Sequence, residues 1–230
     1  METNSHQKKA WVVAVDMGYG HQRTAYPLRD LAPNRAVINA NHYEGIIEKD
    51  RKFWHITKSS YEFISRLRGI PFIGLFLFLF MDSFQKIVGY YPKRDLSRQN
   101  FSGKAAFSLI KKGWGKHLID NLAKNPLPLV TTFFTPAFMA EESNYPNDVY
   151  CIICDADIAR AWVAVDPKKS RIKYLAPCTW ARDRLKLYGI KPENITLTGY
   201  PLPKENVGEN LEIVKKDTAY RMLNLDPSGK

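Results

Sequence analysis

The chain has 230 residues, 45% of them hydrophobic, which suits one large domain, or one domain and part of another, around a packed core. Lys and Arg outnumber Asp and Glu by 34 to 23, and the resulting +11 favours an anionic partner surface. Zinc-finger spacing and the aromatic–basic signature of an RNA-binding sheet are both missing, so acidic lipid is the better fit and nucleic acid is not expected as a partner.

Residues 1–10 are polar, lack the apolar centre of a signal peptide, and read as a disordered N-terminus. Val12 to Val15 is a short, mostly β-branched run, the pattern of a strand covered on both faces. Gly18 and Gly20 follow, allowing a tight turn and a close approach of ligand to backbone. A helix through Arg23, Ala25 and Leu28 comes next. Pro27 falls inside it, where proline costs about 3 kcal/mol unless the helix kinks or breaks after Tyr26. His21 stands at the mouth of the turn, where open α/β sheets place ligands. A nucleotide reading lacks its residues. Arg23 occupies the third small-residue position of the dinucleotide fingerprint, only Asn39 stands where an acid is wanted, and no Gly-Lys-Ser/Thr loop occurs.

Ala36 to Ala40 reads as a second strand, His42 to Asp50 as a polar connection, and Phe53 to Leu67 as a helix. The uncharged run from Ile70 to Met81 contains Phe72, Phe76, Phe78 and Phe80 and is flanked by Arg66, Arg68 and Lys86. It is shorter than the roughly 20 residues of a membrane span. Together with Tyr90, Tyr91, Lys93 and Arg94 it suits a segment lying in a lipid interface, over about residues 70–94, while a buried core helix and a protein-binding patch remain open. Ser102 to Asn125 reads as one amphipathic helix with Phe107, Ile110, Trp114, Leu118 and Leu122 on a single face, weakened by Gly113 and Gly115.

Leu129 to Phe134 reads as a strand, followed by a helix with Pro136 at its first position. Tyr150 to Asp155 is another strand. It contains the Cys151–Cys154 pair, which reads as two structural thiols because no second ligand pair completes a zinc site and a redox CxxC opens a helix. No metal is expected. Three cysteines make no disulfide framework, in keeping with a reducing compartment. Ile172 to Ala176 is a strand, Thr179 to Tyr188 a helix capped by Gly189, and Ile195 to Thr198 the last strand. Strands alternating with helices imply an α/β fold, a Rossmann-like parallel sheet with helices on both faces.

Three blocks carry a family resemblance over about residues 11–230. They are Gly18-Tyr19-Gly20-His21 with Ala25; Asp155-Ala156-Asp157 with Trp162; and Lys173-Tyr174-Leu175-Ala176-Pro177 through Leu185 to Tyr188-Gly189-Ile190-Lys191-Pro192-Glu193-Asn194-Ile195-Thr196-Leu197-Thr198-Gly199-Tyr200-Pro201. In these the chain resembles the N-terminal, acceptor-binding half of GT-B glycosyltransferases of the monogalactosyldiacylglycerol synthase and processive diacylglycerol glucosyltransferase type. Two positions depart from the family pattern. Ala159 stands where a histidine is usual, and Thr131-Thr132-Phe133-Phe134 replaces a Thr-Thr-His-Pro motif.

The resemblance implies an acceptor domain over residues 11–203, with residues 204–230 an interdomain linker and the truncated start of a donor domain. The nucleotide sugar would bind that absent domain, so no cofactor is expected on this chain, and a separate donor-domain subunit would be a partner. The acceptor would be a lipid hydroxyl, at the cytoplasmic, inner face of a membrane. The alternative is a non-catalytic membrane-surface module that kept the fold.

Sugar transfer to a hydroxyl needs a base and charge stabilisation at the leaving diphosphate. His21 suits the base, kept neutral by the helix N-terminus, and suits equally a hydrogen-bond donor to phosphate or glycerol oxygen. Asp155 would orient His21, bind the acceptor hydroxyl, or cap the loop. Gly18, Tyr19, Gly20 and, more weakly, Asp157 would line the acceptor site. Thr132 and Thr135 would bind ligand there or cap the following helix. Trp162 fits core or ligand contact.

Overall fold

The computed structural model describes residues 9–67 and 87–226. The Ile70–Met81 run, with Phe72, Phe76, Phe78 and Phe80, lies outside them. The fold is α/β and Rossmann-like. Among the described residues six parallel strands form one sheet in the order β2-β1-β3-β4-β5-β6. They are β1 (Trp11–Ala14), β2 (Ile38–Asn39), β3 (Leu129–Thr131), β4 (Val149–Ile152), β5 (Lys173–Ala176) and β6 (Ile195–Leu197).

Alternation along β1 explains the burial of the first strand. Val12 and Ala14 face Ala25, Ala32, Leu28 and Leu31 on one side. Val13 and Val15 face the larger core on the other, with Trp54, Leu118, Phe138 and Tyr174. Both sets are almost wholly excluded from solvent, which is what a continuous apolar strand in a two-sided sheet requires.

Helix α1 (Tyr19–Ala25) is short because of Pro27. A 3₁₀ segment, Tyr26–Leu31, takes over with the proline in its first turn, where a missing N–H costs nothing. The break therefore precedes Tyr26 instead of following it. The second strand is shorter than its apolar pattern suggested, and α2 (Glu48–Leu67) begins within the stretch that read as a polar connection. Asp50 is buried in its first turn and accepts from the Gly115 N–H at 3.1 Å.

The single amphipathic helix expected over 102–125 is two helices, α3 (Phe101–Lys111) and α4 (Lys116–Ala123). Gly113 and Gly115 between them have φ of +92° and +80°, a left-handed backbone that stops a helix. Ile110, Trp114, Leu118 and Leu122 are still buried on one side, because the turn keeps them facing the sheet. Helix α5 (Phe134–Glu142) starts two residues ahead of Pro136, so proline is its third residue.

Helix α6 (Thr179–Leu187) ends as its sequence indicated. Gly189 has φ +90°, its N–H reaches Lys186 O at 2.9 Å, and the Ile190 N–H reaches Leu185 O at 3.1 Å. Those two bonds satisfy carbonyls that the helix end would leave open. Helices α7 (Lys204–Val207) and α8 (Glu212–Leu225) follow, and neither buries a residue. Among the described residues no helix is long and apolar enough to cross a membrane.

Candidate functional site

The strand order reverses direction between β1 and β3, and ligands of open α/β sheets bind beyond the carboxyl ends of strands at such a point. His21, in the helix after β1, meets Thr132, the residue after β3. The two are clasped reciprocally. Thr132 Oγ1 donates to the His21 carbonyl at 2.9 Å, and His21 Nδ1 lies 3.0 Å from the Thr132 carbonyl oxygen. A carbonyl only accepts, so Nδ1 carries the proton and a neutral imidazole leaves the Nε2 lone pair bare. The same carbonyl takes a second donor, Cys154 Sγ at 3.2 Å.

Burial lowers the His21 pKa below its ordinary 6.5, against the opposing pulls of the Thr132 carbonyl and the Asp155 charge. Neutrality at pH 7 thus comes chiefly from burial and not from the short helix. An aromatic wall supplies that burial. The Phe133 ring meets the imidazole edge-on with centroids 4.7 Å apart, and Trp162 lies at 6.0 Å. Phe134 completes the cluster, 5.4 Å from Trp162. Trp162 is 8% exposed and belongs to the core.

Gly18 precedes α1 with φ 137° and ψ 148°, a conformation that is essentially glycine's alone. Gly20 is helical, so the turn does not need it. A Cβ at Gly20 would meet nothing within 4 Å, which leaves its backbone approachable. Tyr19 is 73% exposed beside it. Thr24 Oγ1 donates to the Gly20 carbonyl at 2.8 Å. Its one proton is then spent, so the Tyr200 hydroxyl donates to Thr24 at 2.6 Å and ties the end of the sheet region to α1.

The other expected site residues divide. Asp155 is exposed and makes no hydrogen bond among the described residues, so it neither holds His21 directly nor caps the loop. Its influence on His21 is through its charge. Asp157 is engaged structurally. Its Oδ1 accepts from Ile158 N–H and Arg184 Nε, its Oδ2 from Trp180 Nε1 and Arg184 Nη2. All its lone pairs are taken, which leaves no acceptor-binding capacity. Thr132 likewise spends its proton on His21. Thr135 is buried in the first turn of α5 and does not cap it. Cys151 is fully buried and its thiol is raised well above its ordinary range, while burial pushes Cys154 to about 11. Neither suits redox or thiolate chemistry.

Sequence reading missed Phe133 as the ring against His21, and missed the Thr132 carbonyl, which has no residue-type signature at all. It also missed a polar group at the end of β1. Asp16 accepts from Lys58 Nζ at 2.7 Å and from Gln22 Nε2 at 3.3 Å, and its N–H donates to Asn41 Oδ1 at 2.8 Å. On the outer side of α1 an open cleft of about 640 Å³ is lined by Tyr19, Gln22, Arg23, Tyr26, Pro203, Glu205 and Asn206. The turn bearing His21 thus has the aromatic wall on one side and this cleft on the other.

No family model, curated protein or solved structure matches this chain.

Proposed function

We propose that this chain is the acceptor-binding half of a membrane-associated GT-B glycosyltransferase, one that moves a sugar from a nucleotide sugar to a lipid hydroxyl. The observation that carries the reading is His21 at the strand-order reversal, held through Nδ1 on the Thr132 carbonyl with its pKa lowered by burial. Such a histidine is neutral at pH 7 and offers Nε2 as a base. That is the state needed to take the proton of an attacking hydroxyl.

The division of labour follows from the residues. His21 accepts the hydroxyl proton. Thr132 fixes the tautomer and the ring. Asp155, near enough to act through its charge, favours the imidazolium formed as the proton arrives. Phe133, Phe134 and Trp162 exclude water from one side of the ring. Tyr19 and the Gly20 backbone border the open side, where an acceptor would lie. The nucleotide sugar would be held by the donor domain.

A second reading, a membrane-surface module without chemistry, is favoured by two observations. Among the described residues no carboxylate hydrogen-bonds to His21, and Phe133 packs on it where the family pattern has a histidine.

The test is vesicle sedimentation with and without diacylglycerol. The catalytic reading expects diacylglycerol to increase binding, and His21→Ala to remove the increase while leaving basal binding. An increase that survives His21→Ala supports the second reading. No effect of diacylglycerol overturns the acceptor assignment.

A further inference from the structure

We infer that the surface built around Tyr90 is the face this protein lays on an anionic bilayer. Tyr90 is nearly buried and acts as a hub. Trp180 stacks on it, centroids 4.3 Å apart at 30°, and Tyr91 meets it edge-on at 4.9 Å. The outer rings are open, with Trp180 43% and Tyr91 69% exposed, and Ile87 beside them in sequence is 43% exposed. Large apolar and aromatic groups brought together at a surface mark an interaction site. Tyrosine and tryptophan are the residues that settle at headgroup level, because each has an apolar body and a polar tip.

Charge selects the partner. Lys93 Nζ lies 5.8 Å from the Tyr90 ring centroid, and neither Lys93 nor Arg94 makes an ion pair among the described residues. The neighbouring acids are already engaged. Asp157 is held by Arg184, Asp183 by Arg182 and Lys186, and Asp95 accepts from the Ser97 N–H. Lys93 and Arg94, exposed and with no acidic partner among the described residues, match an anionic headgroup layer.

The patch is also rigid. Arg184 is almost wholly buried. It donates twice to Asp157 and once to the Val88 carbonyl at 2.8 Å, which fixes the chain leading into Tyr90. Trp180 Nε1 donates to Asp157 at 2.8 Å. The ring is therefore presented by a framework and not by a loose loop.

Asp157 follows β4 and Trp180 opens the helix after β5, so the patch lies at the carboxyl edge of the sheet, the same edge as His21. From β1 to β5 there are three strand spacings, roughly 14 Å. A bilayer seated on the patch would present headgroup-level hydroxyls to that edge. The choice of a bilayer over a protein partner rests on the lipid-acceptor reading above.

The test uses vesicles of phosphatidylcholine and phosphatidylglycerol with brominated chains, read by tryptophan emission and by sedimentation. Trp54, Trp114 and Trp162 are buried, and Trp11 lies at the opposite sheet edge, so Trp180 reports the patch. The expected result is quenching that is absent in Trp180→Phe, although that variant still sediments. Lys93→Glu with Arg94→Glu, both exposed, should weaken sedimentation at least tenfold with unchanged circular dichroism. Sedimentation without Trp180 quenching, or insensitive to the charge reversals, overturns this patch and leaves the lipid reading standing. No sedimentation of the unsubstituted chain overturns both.

Discussion

Asp157 and Arg184 form a partly buried ion pair whose two halves should not be equally costly to remove. The guanidinium is 2% exposed and the carboxylate 24%. Asp157→Asn strands a buried charge with the Val88 carbonyl and one amide oxygen for partners. Leaving such a charge uncompensated costs about 3 kcal/mol or more. Arg184→Met leaves Asp157 with the Trp180 and Ile158 donors and access to water, and orphans the Val88 carbonyl. That amounts to about 1–2 kcal/mol. For a chain of this size 1 kcal/mol moves the thermal midpoint by about 2–4 °C, so Asp157→Asn should lower it by about 6–12 °C and Arg184→Met by about 2–8 °C, between a third and two-thirds as much.

Acid titration supplies a second readout. Burial pushes the Asp157 pKa up, but the hydrogen bonds from Arg184, Trp180 and Ile158 outweigh it and bring it below the ordinary 3.8. A carboxyl held low in the folded state stabilises above its unfolded value, and that contribution is lost as pH falls through the folded one. The wild type should therefore lose stability below about pH 4 more steeply than Asp157→Asn. Differential scanning calorimetry from pH 2 to 7 measures both. Equal midpoint losses for the two variants, or a larger loss for Arg184→Met, would refute the assignment of the buried charge as the costly partner.

Two further outcomes follow from the geometry. Gly115→Ala should destabilise by about 2 kcal/mol or more, because its φ is +80° and a Cβ there would run into the Met139 sulfur; urea unfolding measures it. His21 has a folded pKa below 6.5, so the unfolded chain takes up its proton first as pH falls. Stability should be at its plateau above that value and decline below it, and His21→Gln should flatten the decline, as seen in midpoints between pH 5 and 8.

The sheet was legible because five of its strands are short apolar runs ended by turn residues. The ending of α6 was legible for a similar reason. A glycine after the last turn can adopt the left-handed conformation that closes a helix. The failures also have physical causes. A period of 3.6 runs straight through Gly113 and Gly115, since the buried side chains keep their facing while the backbone turns between helices. Asp157 read as a ligand residue because a carboxylate after a strand looks the same whether its partner is substrate or an arginine many residues later. The clasp on His21 depends on a carbonyl, and every residue type has one. The motif brought His21 to attention, but only the fold supplies its tautomer.

The most direct test of the account is ¹⁵N NMR of the His21 imidazole at pH 7, with dioctanoylglycerol as a soluble acceptor. The expected result is a neutral ring protonated on Nδ1, with the Nε2 resonance shifting as the lipid hydroxyl binds and no shift in a glycerol control. An Nε2-protonated tautomer, or an Nε2 signal indifferent to the acceptor, would contradict it.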